Sequence, residues 1–349
     1  MVENITYKCP QCDALLVESK DSLLCENCHS EWEIRDNIPC FIKEETYWSD
    51  LPKEKMIELL NRGQIIGGRD GLRQCLKETK SELFEHTYDV TRSDWRFLLP
   101  FHEEGVVLDA GCGLGALSFP LSIESQLVVA LDSTFERVKF VEIRRRQEGI
   151  ANIQPVLANI INLPFPDNYF DIVVLNAVLE WLGLANSKID PRQIQMSVLR
   201  DVQRVLKKDG ILYLATKNRF AYFYFLGAPD PHTGLRFITL LPRKIASFYS
   251  KIRRRKDYRE YLYSLSGYKS LLREAGFSSI QVYSSFPSFR NFTQMFSVED
   301  RAVVQYYLKN LFEPKYPIIN LTWRFLKILN LYSFVKYFVP DFSIIANKE

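Results

Sequence analysis

The chain has 349 residues, of which 47% are hydrophobic and 25% are charged, and its formal net charge is +3. These values are ordinary for a globular protein and argue against long disordered stretches. No apolar run reaches the length that crosses a bilayer, and the N-terminus lacks a basic-then-apolar signal pattern. We therefore expect a cytoplasmic protein with free thiols, in which one α/β domain carries additions.

Charge is unevenly distributed along the chain. Residues 1–60 carry 13 acidic and 6 basic side chains, whereas residues 241–275 carry 10 basic and 3 acidic ones. The basic segment centres on Arg253–Lys256. Such a run is either a solvated helix face or a site for an anionic partner such as a phosphate or an acidic lipid surface. The sequence leaves both interpretations open.

Four cysteines form two C-x-x-C pairs near the N-terminus, Cys9 with Cys12 and Cys25 with Cys28. Their spacing allows four thiolates to converge tetrahedrally on zinc. Two disulfides are the alternative, but no secretion signal supports an oxidising compartment. His29 is an alternative fourth ligand. We predict a structural Zn²⁺ site, because four protein ligands leave no open position for catalysis.

The residues Glu31–Pro39 resemble the tail of the Trm112-like zinc ribbons that accompany many methyltransferases, either fused or as partner subunits. The resemblance implies a zinc ribbon over residues 1–42. A module this small buries little apolar surface, so the metal would supply much of its folding energy. Residues 43–82 are predicted as a helical linker or lid, with helices over Lys53–Asn61 and Leu72–Leu83.

A glycine-rich pattern follows the predicted buried strand Val106–Leu108 and precedes a helix predicted to begin near Ala116. The next strand, Val128–Leu131, ends at Asp132, whose carboxylate can accept both hydroxyls of a ribose. The G-x-G-x-G spacing differs from the dinucleotide fingerprint G-x-G-x-x-G and indicates a cofactor without a pyrophosphate. The loop residues are Asp109, Gly111, Cys112, Gly113 and Gly115.

Further patterns follow in order along the chain. Asn159 comes after a third strand, Leu163–Asp171 leads into a fourth, and Arg204–Gly210 forms the end of a helix and a turn before a fifth. The predicted elements are Ile153–Leu157, Ile172–Leu175, the helix Leu199–Leu206 and Ile211–Ala215. Together with the glycine loop, these patterns resemble the class I S-adenosylmethionine-dependent methyltransferases over residues 83–220.

The resemblance implies an α/β fold with a seven-stranded Rossmann-like sheet, mostly parallel with strand seven antiparallel, and a helical insertion before the last strand. The methyltransferase domain would cover residues 83–349, with substrate-side additions at 218–262 and 285–341. A helix is also predicted over Ser93–Pro100. The sixth and seventh strands are expected at Ser279–Tyr283 and Phe342–Lys348.

By resemblance, the cofactor S-adenosylmethionine is bound along the ends of the first four strands. The glycine loop would hold the methionine moiety, and Asp132 with Ser133 the ribose. Asn159, where the family usually has Asp, would contact the adenine amino group beside Ile160, because its amide oxygen is a hydrogen-bond acceptor. Asn176 would face the methionine amine.

Two residues are candidates for catalysis. Methyl transfer is an in-line displacement that depends mainly on alignment, so a base is needed only by some acceptors. For a hydroxyl acceptor, His232 is the candidate base, with Asp230 to orient it. Glu180 is the second candidate; the adjacent Trp181 stands where many relatives have His. The alternative is that Asp230–Gly234 only builds a turn.

We expect O- or N-methylation of a small molecule, a glycan or a lipid-linked acceptor. RNA or protein methylation assisted by the ribbon is one alternative, although the acidic ribbon and a pI of about 8.3 argue against nucleic acid. A non-catalytic methyltransferase-like partner subunit is the other. The aromatic, amphipathic segment 318–339 is predicted to touch a membrane surface peripherally, or else to pack as core or a dimer interface. The oligomeric state is left open.

Overall fold

The structure is a computed structural model that describes residues 5–310 and 332–349. The chain forms two compact units, called unit 1 and unit 2. Unit 1 consists of Met1–Leu175, Ser197–Leu212 and Lys348–Glu349; unit 2 consists of Asn176–Met196 and Tyr213–Asn347. No helix in the described part of the chain is long and apolar enough to cross a bilayer.

Unit 1 begins with a small antiparallel sheet in the strand order β1-β2-β3-β4. Its core is aromatic, since the buried rings of Tyr7 and Trp32 lie 5.2 and 5.8 Å from the ring of Phe41. The strands are β1 (Val17–Ser19), β2 (Ser22–Leu24), β3 (Glu31–Arg35) and β4 (Ile38–Pro39). Leu23 and Ile38 are also buried in this segment.

The N-terminal segment is joined to the rest of unit 1 by backbone hydrogen bonds. Phe41 donates its N–H to the Leu157 carbonyl at 2.7 Å, and Lys8 donates to the Pro164 carbonyl at 3.0 Å. The Asn162 side chain adds a hydrogen bond to the Pro10 carbonyl at 2.8 Å. The small sheet is thus anchored beside the segment that follows Leu157.

Three helices, not the predicted two, cover residues 53–88. They are α1 (Lys53–Ile66), α2 (Gly71–Thr79) and α3 (Ser81–Tyr88). The predicted helix Leu72–Leu83 is interrupted at Lys80, which has an extended backbone. A Cβ at Gly63 would lie 2.5 Å from Leu72, so α1 and α2 approach closely at this glycine.

The large sheet has eight strands in the order β11-β10-β12-β9-β8-β5-β6-β7. The pairs β5–β6, β6–β7 and β5–β8 are parallel, and β10–β11 is antiparallel. The strands are β5 (Val106–Ala110), β6 (Leu127–Asp132), β7 (Ile153–Leu157), β8 (Phe170–Asn176), β9 (Leu206–Lys217), β10 (Phe277–Phe286), β11 (Gln294–Ser297) and β12 (Asp341–Lys348).

The predicted strand count of seven was wrong by one, because β11 adds an edge strand to β10 within the expected helical insertion. All four residues of β11 are half-buried, so the strand has no alternation of buried and exposed positions that would reveal it. Most of the amphipathic segment expected over 318–339 lies outside the described residues.

The helix expected near Ala116 has a single turn, α4 (Ser118–Leu121), because the turns of the glycine loop continue through Leu117. The helix expected over Ser93–Pro100 is a 3₁₀ helix, Val90–Leu98. Further 3₁₀ helices cover Leu179–Leu184 and Ile238–Leu240. The other helices are α5 (Phe135–Glu148), α6 (Pro191–Val205), α7 (Tyr222–Phe225), α8 (Arg243–Arg254), α9 (Leu265–Glu274), α10 (Arg301–Asn310) and α11 (Tyr332–Val335).

Candidate functional site

The glycine loop of unit 1 is fixed to the end of β6 by its own backbone. Gly111 and Cys112 donate their N–H groups to the Leu131 carbonyl at 2.7 and 2.9 Å. Gly111, Gly113 and Gly115 all have positive φ angles, of 85, 57 and 77°. Glycine is the residue that adopts this conformation without strain, so the loop conformation requires glycine at these three positions.

Two of these glycines have different surroundings. A Cβ at Gly115 would lie 3.0 Å from the ring of Phe119 and 3.1 Å from Val141, whereas no heavy atom lies within 4 Å of a Cβ at Gly113. Gly115 is therefore needed for packing beneath the loop. Gly113 faces open space, where a ligand can approach the backbone.

Asp132 is buried at the carboxyl end of β6 and is held by backbone donors. Its Oδ1 accepts the Thr134 N–H at 3.0 Å, and its Oδ2 accepts the Gly113 N–H at 3.0 Å. Arg137 lies 3.4 Å from Oδ2. A carboxylate has about four acceptor positions, so this group retains capacity for further donors such as ribose hydroxyls.

Asp109 lies at the other end of the glycine loop and is almost fully buried. Its Oδ2 accepts the Ser118 hydroxyl at 2.6 Å, which connects β5 to the start of α4. Burial raises the pKa of Asp109 to about 6, and the neighbouring Asp132 carboxylate adds to the rise, while the Ser118 hydrogen bond opposes it.

The remaining predicted cofactor residues of unit 1 lie at the same edge of the sheet, because β5, β6 and β7 are parallel. Ser133 directly follows β6 and is half-buried; Asn159 follows β7 and is exposed. Asn159 Oδ1 accepts the Ile161 N–H at 3.0 Å, and Ile160 is buried. Asn176 belongs to unit 2, where it is half-buried at the end of β8.

The four N-terminal cysteines converge, and their Sγ atoms all lie within 4.8 Å of one another. The Cys9–Cys28 and Cys12–Cys25 Sγ separations are 3.6 and 3.3 Å, and every cysteine of the chain is a free thiol. Thiolates bound tetrahedrally at 2.3 Å from zinc would be about 3.8 Å apart. The cluster therefore fits zinc and excludes the disulfide alternative in this structure.

Two matching turns present these thiols. The N–H of Asp13 donates to the Cys9 carbonyl, and the N–H of His29 donates to the Cys25 carbonyl, both at 2.9 Å. Asp13 and His29 also share a left-handed backbone, with φ of 61 and 56°. His29 is thus the equivalent of Asp13 in the second turn and does not belong to the cysteine cluster.

Unit 2 brings the two predicted catalytic residues together. His232 Nδ1 lies 3.0 Å from Asp230 Oδ1, and His232 Nε2 lies 3.7 Å from Glu180 Oε1. The imidazole is only 1% exposed, and its centroid lies 4.7 Å from that of the Trp181 ring. Both ring nitrogens of His232 thus face carboxylates.

This arrangement decides the charge of His232. Burial disfavours the imidazolium form, but the hydrogen bond to Asp230 and the carboxylate of Glu180 outweigh it and raise the pKa of His232 to about 9. Burial opposes ionisation of Asp230 as well, yet the contact with His232 lowers the pKa of that carboxyl. The direction of this shift favours the imidazolium, the form that has no lone pair with which to act as a base.

Asp230 also builds a turn, as the alternative interpretation expected. Its Oδ2 accepts the backbone N–H of Thr233 at 3.0 Å and the Thr233 hydroxyl at 2.7 Å. The N–H of Gly234, whose φ is 71°, donates to the Asp230 carbonyl at 2.7 Å. The same carboxylate therefore shapes the turn and binds His232, so the two interpretations are compatible.

Several residues around Glu180 escaped the sequence analysis. Thr216 donates to Glu180 Oε2 at 3.2 Å and contacts the Tyr268 hydroxyl at 3.0 Å. Glu180 Oε1 and the Tyr224 hydroxyl are buried without a hydrogen-bond partner among the described residues. Unsatisfied buried polar atoms of this kind are expected where a ligand supplies the missing partners.

Residues 101–228 match the family model described as "Methyltransferase domain". (S)-coclaurine N-methyltransferase of Thalictrum flavum is 28% identical over 122 residues, which are 34% of this chain and 31% of that protein. A probable S-adenosylmethionine-dependent methyltransferase of Mycobacterium tuberculosis is 30% identical over 116 residues, 33% of this chain and 37% of that protein. Demethylmenaquinone methyltransferase of a Geobacillus species is 27% identical over 197 residues, 51% and 72% of the two chains.

The chain covers about a third of the length of the first of these relatives. The segment that matches the family model contains the glycine loop, Asp132 and Asn159, and it ends just before Asp230. Over residues 101–228, the chain is therefore similar to methyltransferase domains.

Proposed function

We propose that the protein is an S-adenosylmethionine-dependent methyltransferase that acts on a small molecule, in which we include glycans and lipid-linked acceptors. The observation that carries the proposal is the Asp132 carboxylate, fixed by Gly113 and Thr134 beside an open glycine backbone. The similarity of residues 101–228 to methyltransferase domains supports it. Relatives named for coclaurine and demethylmenaquinone support a small acceptor.

In this proposal, unit 1 binds the cofactor. Asp132 accepts the ribose hydroxyls with the acceptor positions that its backbone bonds leave unused, and the exposed Asn159 amide binds the adenine amino group. The backbone of Gly111 and Gly113 lies along the methionine moiety. When bound, the cofactor supplies a sulfonium methyl group, which is transferred by in-line displacement.

Unit 2 carries the acceptor-side residues. We assign Glu180 Oε1 to the acceptor, because this atom is buried and has no partner within hydrogen-bond distance in the described structure, His232 Nε2 being 3.7 Å away. It accepts a hydrogen bond, and then the proton, from the hydroxyl or amine that is methylated. His232 Nε2 lies 3.7 Å from the same oxygen and faces the carboxylate of Glu180. His232 is therefore a positioning residue and Glu180 the candidate base.

Calorimetric titration with S-adenosylmethionine and S-adenosylhomocysteine tests the cofactor assignment. Binding by the whole chain is expected, and no detectable binding at millimolar ligand would refute the proposal that the protein is a methyltransferase. Labelled cofactor offered with lipid extract, RNA or protein fractions tests the acceptor, and label in RNA or protein alone would overturn a small-molecule substrate. Glu180→Gln is expected to retain cofactor binding and to lose transfer.

We also propose that the N-terminal segment is a Trm112-like ribbon that holds one structural zinc ion through Cys9, Cys12, Cys25 and Cys28. The support is the convergence of four thiols on two matching turns. Zinc would contribute folding energy to a segment whose own aromatic core is small. Elemental analysis should find about one zinc per chain.

A further inference from the structure

Helix α8 exposes an apolar stripe. The side chains of Ile245, Phe248 and Ile252 belong to residues that are 52, 66 and 63% exposed. Their spacing of three and four positions places them on one face of the helix. The opposite face is covered, since Ala246 and Ser250 are fully buried. The packed face of α8 therefore carries small residues, whereas its large apolar side chains are exposed to solvent.

Basic side chains flank the stripe on both sides. The exposed residues of this kind are Lys244, Lys251, Arg253, Arg255 and Lys256. Lys251 pairs with Asp257 at 3.0 Å, while the other four have no ion pair among residues 5–310 and 332–349. Two further arginines turn inward: Arg243 lies 4.0 Å above the Tyr261 ring, and Arg254 pairs with Glu260 at 2.9 Å. The basic run thus presents most of its charge outward, around an apolar strip.

Other apolar residues of unit 2 are also exposed. The 3₁₀ helix Ile238–Leu240 contacts both α7 and α8, and the residue before it, Phe237, is exposed. Exposed Phe225, at the end of α7, lies 5.7 Å from the ring of exposed Phe338. Phe237 also has a left-handed backbone with φ of 64°, which is unfavourable for a bulky residue.

We infer that α8 is a docking surface for a membrane that contains anionic lipids, with Ile245, Phe248 and Ile252 inserted below the headgroups and the flanking bases bound to phosphates. Apolar insertion combined with basic flanks is what binds an amphipathic helix to such an interface. A single-stranded nucleic acid would need several aromatic rings for stacking, and of the three stripe residues only Phe248 offers one. A second copy would place like charges against each other across a symmetric interface.

Vesicle sedimentation tests the inference on the full chain. Vesicles of phosphatidylcholine alone are compared with an equal mixture of phosphatidylcholine and phosphatidylglycerol. We expect binding to the anionic vesicles that weakens as salt rises. Phe248→Glu combined with Ile252→Glu should lower the partition coefficient at least about tenfold. The double variant loses two inserted apolar side chains and gains two negative charges, which are repelled by the anionic headgroups.

Ile65→Glu is the matched control, since Ile65 is an exposed isoleucine on another helix, α1, with 85% exposure. It should leave vesicle binding unchanged. All variants should retain the wild-type thermal midpoint, which shows that they fold. Equal binding to both vesicle types, or none, would overturn the inference. If Lys244→Glu/Arg255→Glu lost vesicle binding and Phe248→Glu/Ile252→Glu kept it, the surface would be a site for polyanions and the inference would be wrong. It would also be wrong if Phe248→Glu/Ile252→Glu converted a dimer to a monomer, because the stripe would then be a dimer interface.

Discussion

The backbone N–H of Gly113 donates a hydrogen bond to Oδ2 of Asp132 at 3.0 Å, and this bond ties the glycine loop to the end of β6. The two motifs, separated by 19 positions in the sequence, therefore form one structural unit. A change in the Asp132 side chain alters the loop as well as any direct contact with a ligand.

Asp132→Asn should weaken the binding of S-adenosylhomocysteine by about ten- to hundredfold, because hydrogen bonds to a charged acceptor contribute about 1.5–3 kcal/mol. Calorimetry measures the change. Asp36→Asn is the matched control: Asp36 is an exposed partner of Lys139 in the same unit, and its left-handed backbone accepts asparagine. Equal affinity in both variants would contradict the assignment of Asp132 to the ribose.

Gly113→Ala and Gly149→Ala form a second matched pair. Both glycines have a left-handed backbone, and neither has a heavy atom within 4 Å of an added Cβ. Each substitution should lower the free energy of unfolding by about 1 kcal/mol. Only Gly113→Ala should also abolish measurable cofactor binding, because its Cβ would occupy the space above the loop. Similar cofactor affinities in the two proteins would show that no ligand approaches Gly113.

The sequence predicted β5 to β8 to within two residues at each end, whereas β9 begins at Leu206, within the helix end and turn predicted over Arg204–Gly210. All six residues of β6 are buried, and the first five, Leu127–Leu131, form an uninterrupted apolar run, as expected for a parallel strand covered on both faces. β11 gave no such pattern, because it is half-buried throughout. The break between α2 and α3 falls at Lys80, and neither glycine nor proline marks it.

The candidate site likewise combines features that the sequence predicts with features that only the folded structure shows. The glycine loop and Asp132 were recognisable because their spacing is a local pattern. The surroundings of Glu180 were not, since Thr216 and Tyr268 come from distant positions and contact it only after folding. The charge of His232 was equally beyond the sequence, because two carboxylates act on one buried ring. The sequence motif identified His232 as a candidate, but the protonation of its imidazole depends on contacts with Asp230 and Glu180 that form only in the folded protein.

Removal of zinc should affect more than the N-terminal segment. Lys8 and Pro10 form hydrogen bonds with residues 162–164, close to the proposed adenine-binding Asn159. We therefore expect a chelator to lower the thermal midpoint and to weaken S-adenosylhomocysteine binding several-fold, with recovery on addition of zinc. Differential scanning calorimetry and titration calorimetry measure the two effects.

Cys12→Ser should reproduce the effect of the chelator and reduce the zinc content, because a tetrahedral site loses one of its four ligands. Cys75→Ala is the control: Cys75 is buried between helices, outside the cysteine cluster, and the variant should retain its zinc. An unchanged cofactor affinity in a zinc-free Cys12→Ser protein would show that the ribbon does not support the Asn159 segment.

The charge of His232 predicts how stability depends on pH. Its pKa in the folded protein, about 9, lies above the ordinary value of 6.5. The imidazolium therefore stabilises the folded state fully below pH 6.5, by up to about 3 kcal/mol, and this contribution disappears as the pH rises through 9. The free energy of unfolding in urea should fall between pH 6.5 and 9.5 in the wild type and much less in His232→Gln.

His102→Gln, the same substitution at an exposed histidine, is the matched control for this measurement. The chain has four histidines, so the signal missing from the NMR spectrum of His232→Gln identifies the imidazole of His232. Its titration midpoint in the wild type should lie near 9. A midpoint near 6.5 would mean that Asp230 and Glu180 do not hold the proton on the ring, and His232 would then be available as a neutral base at physiological pH.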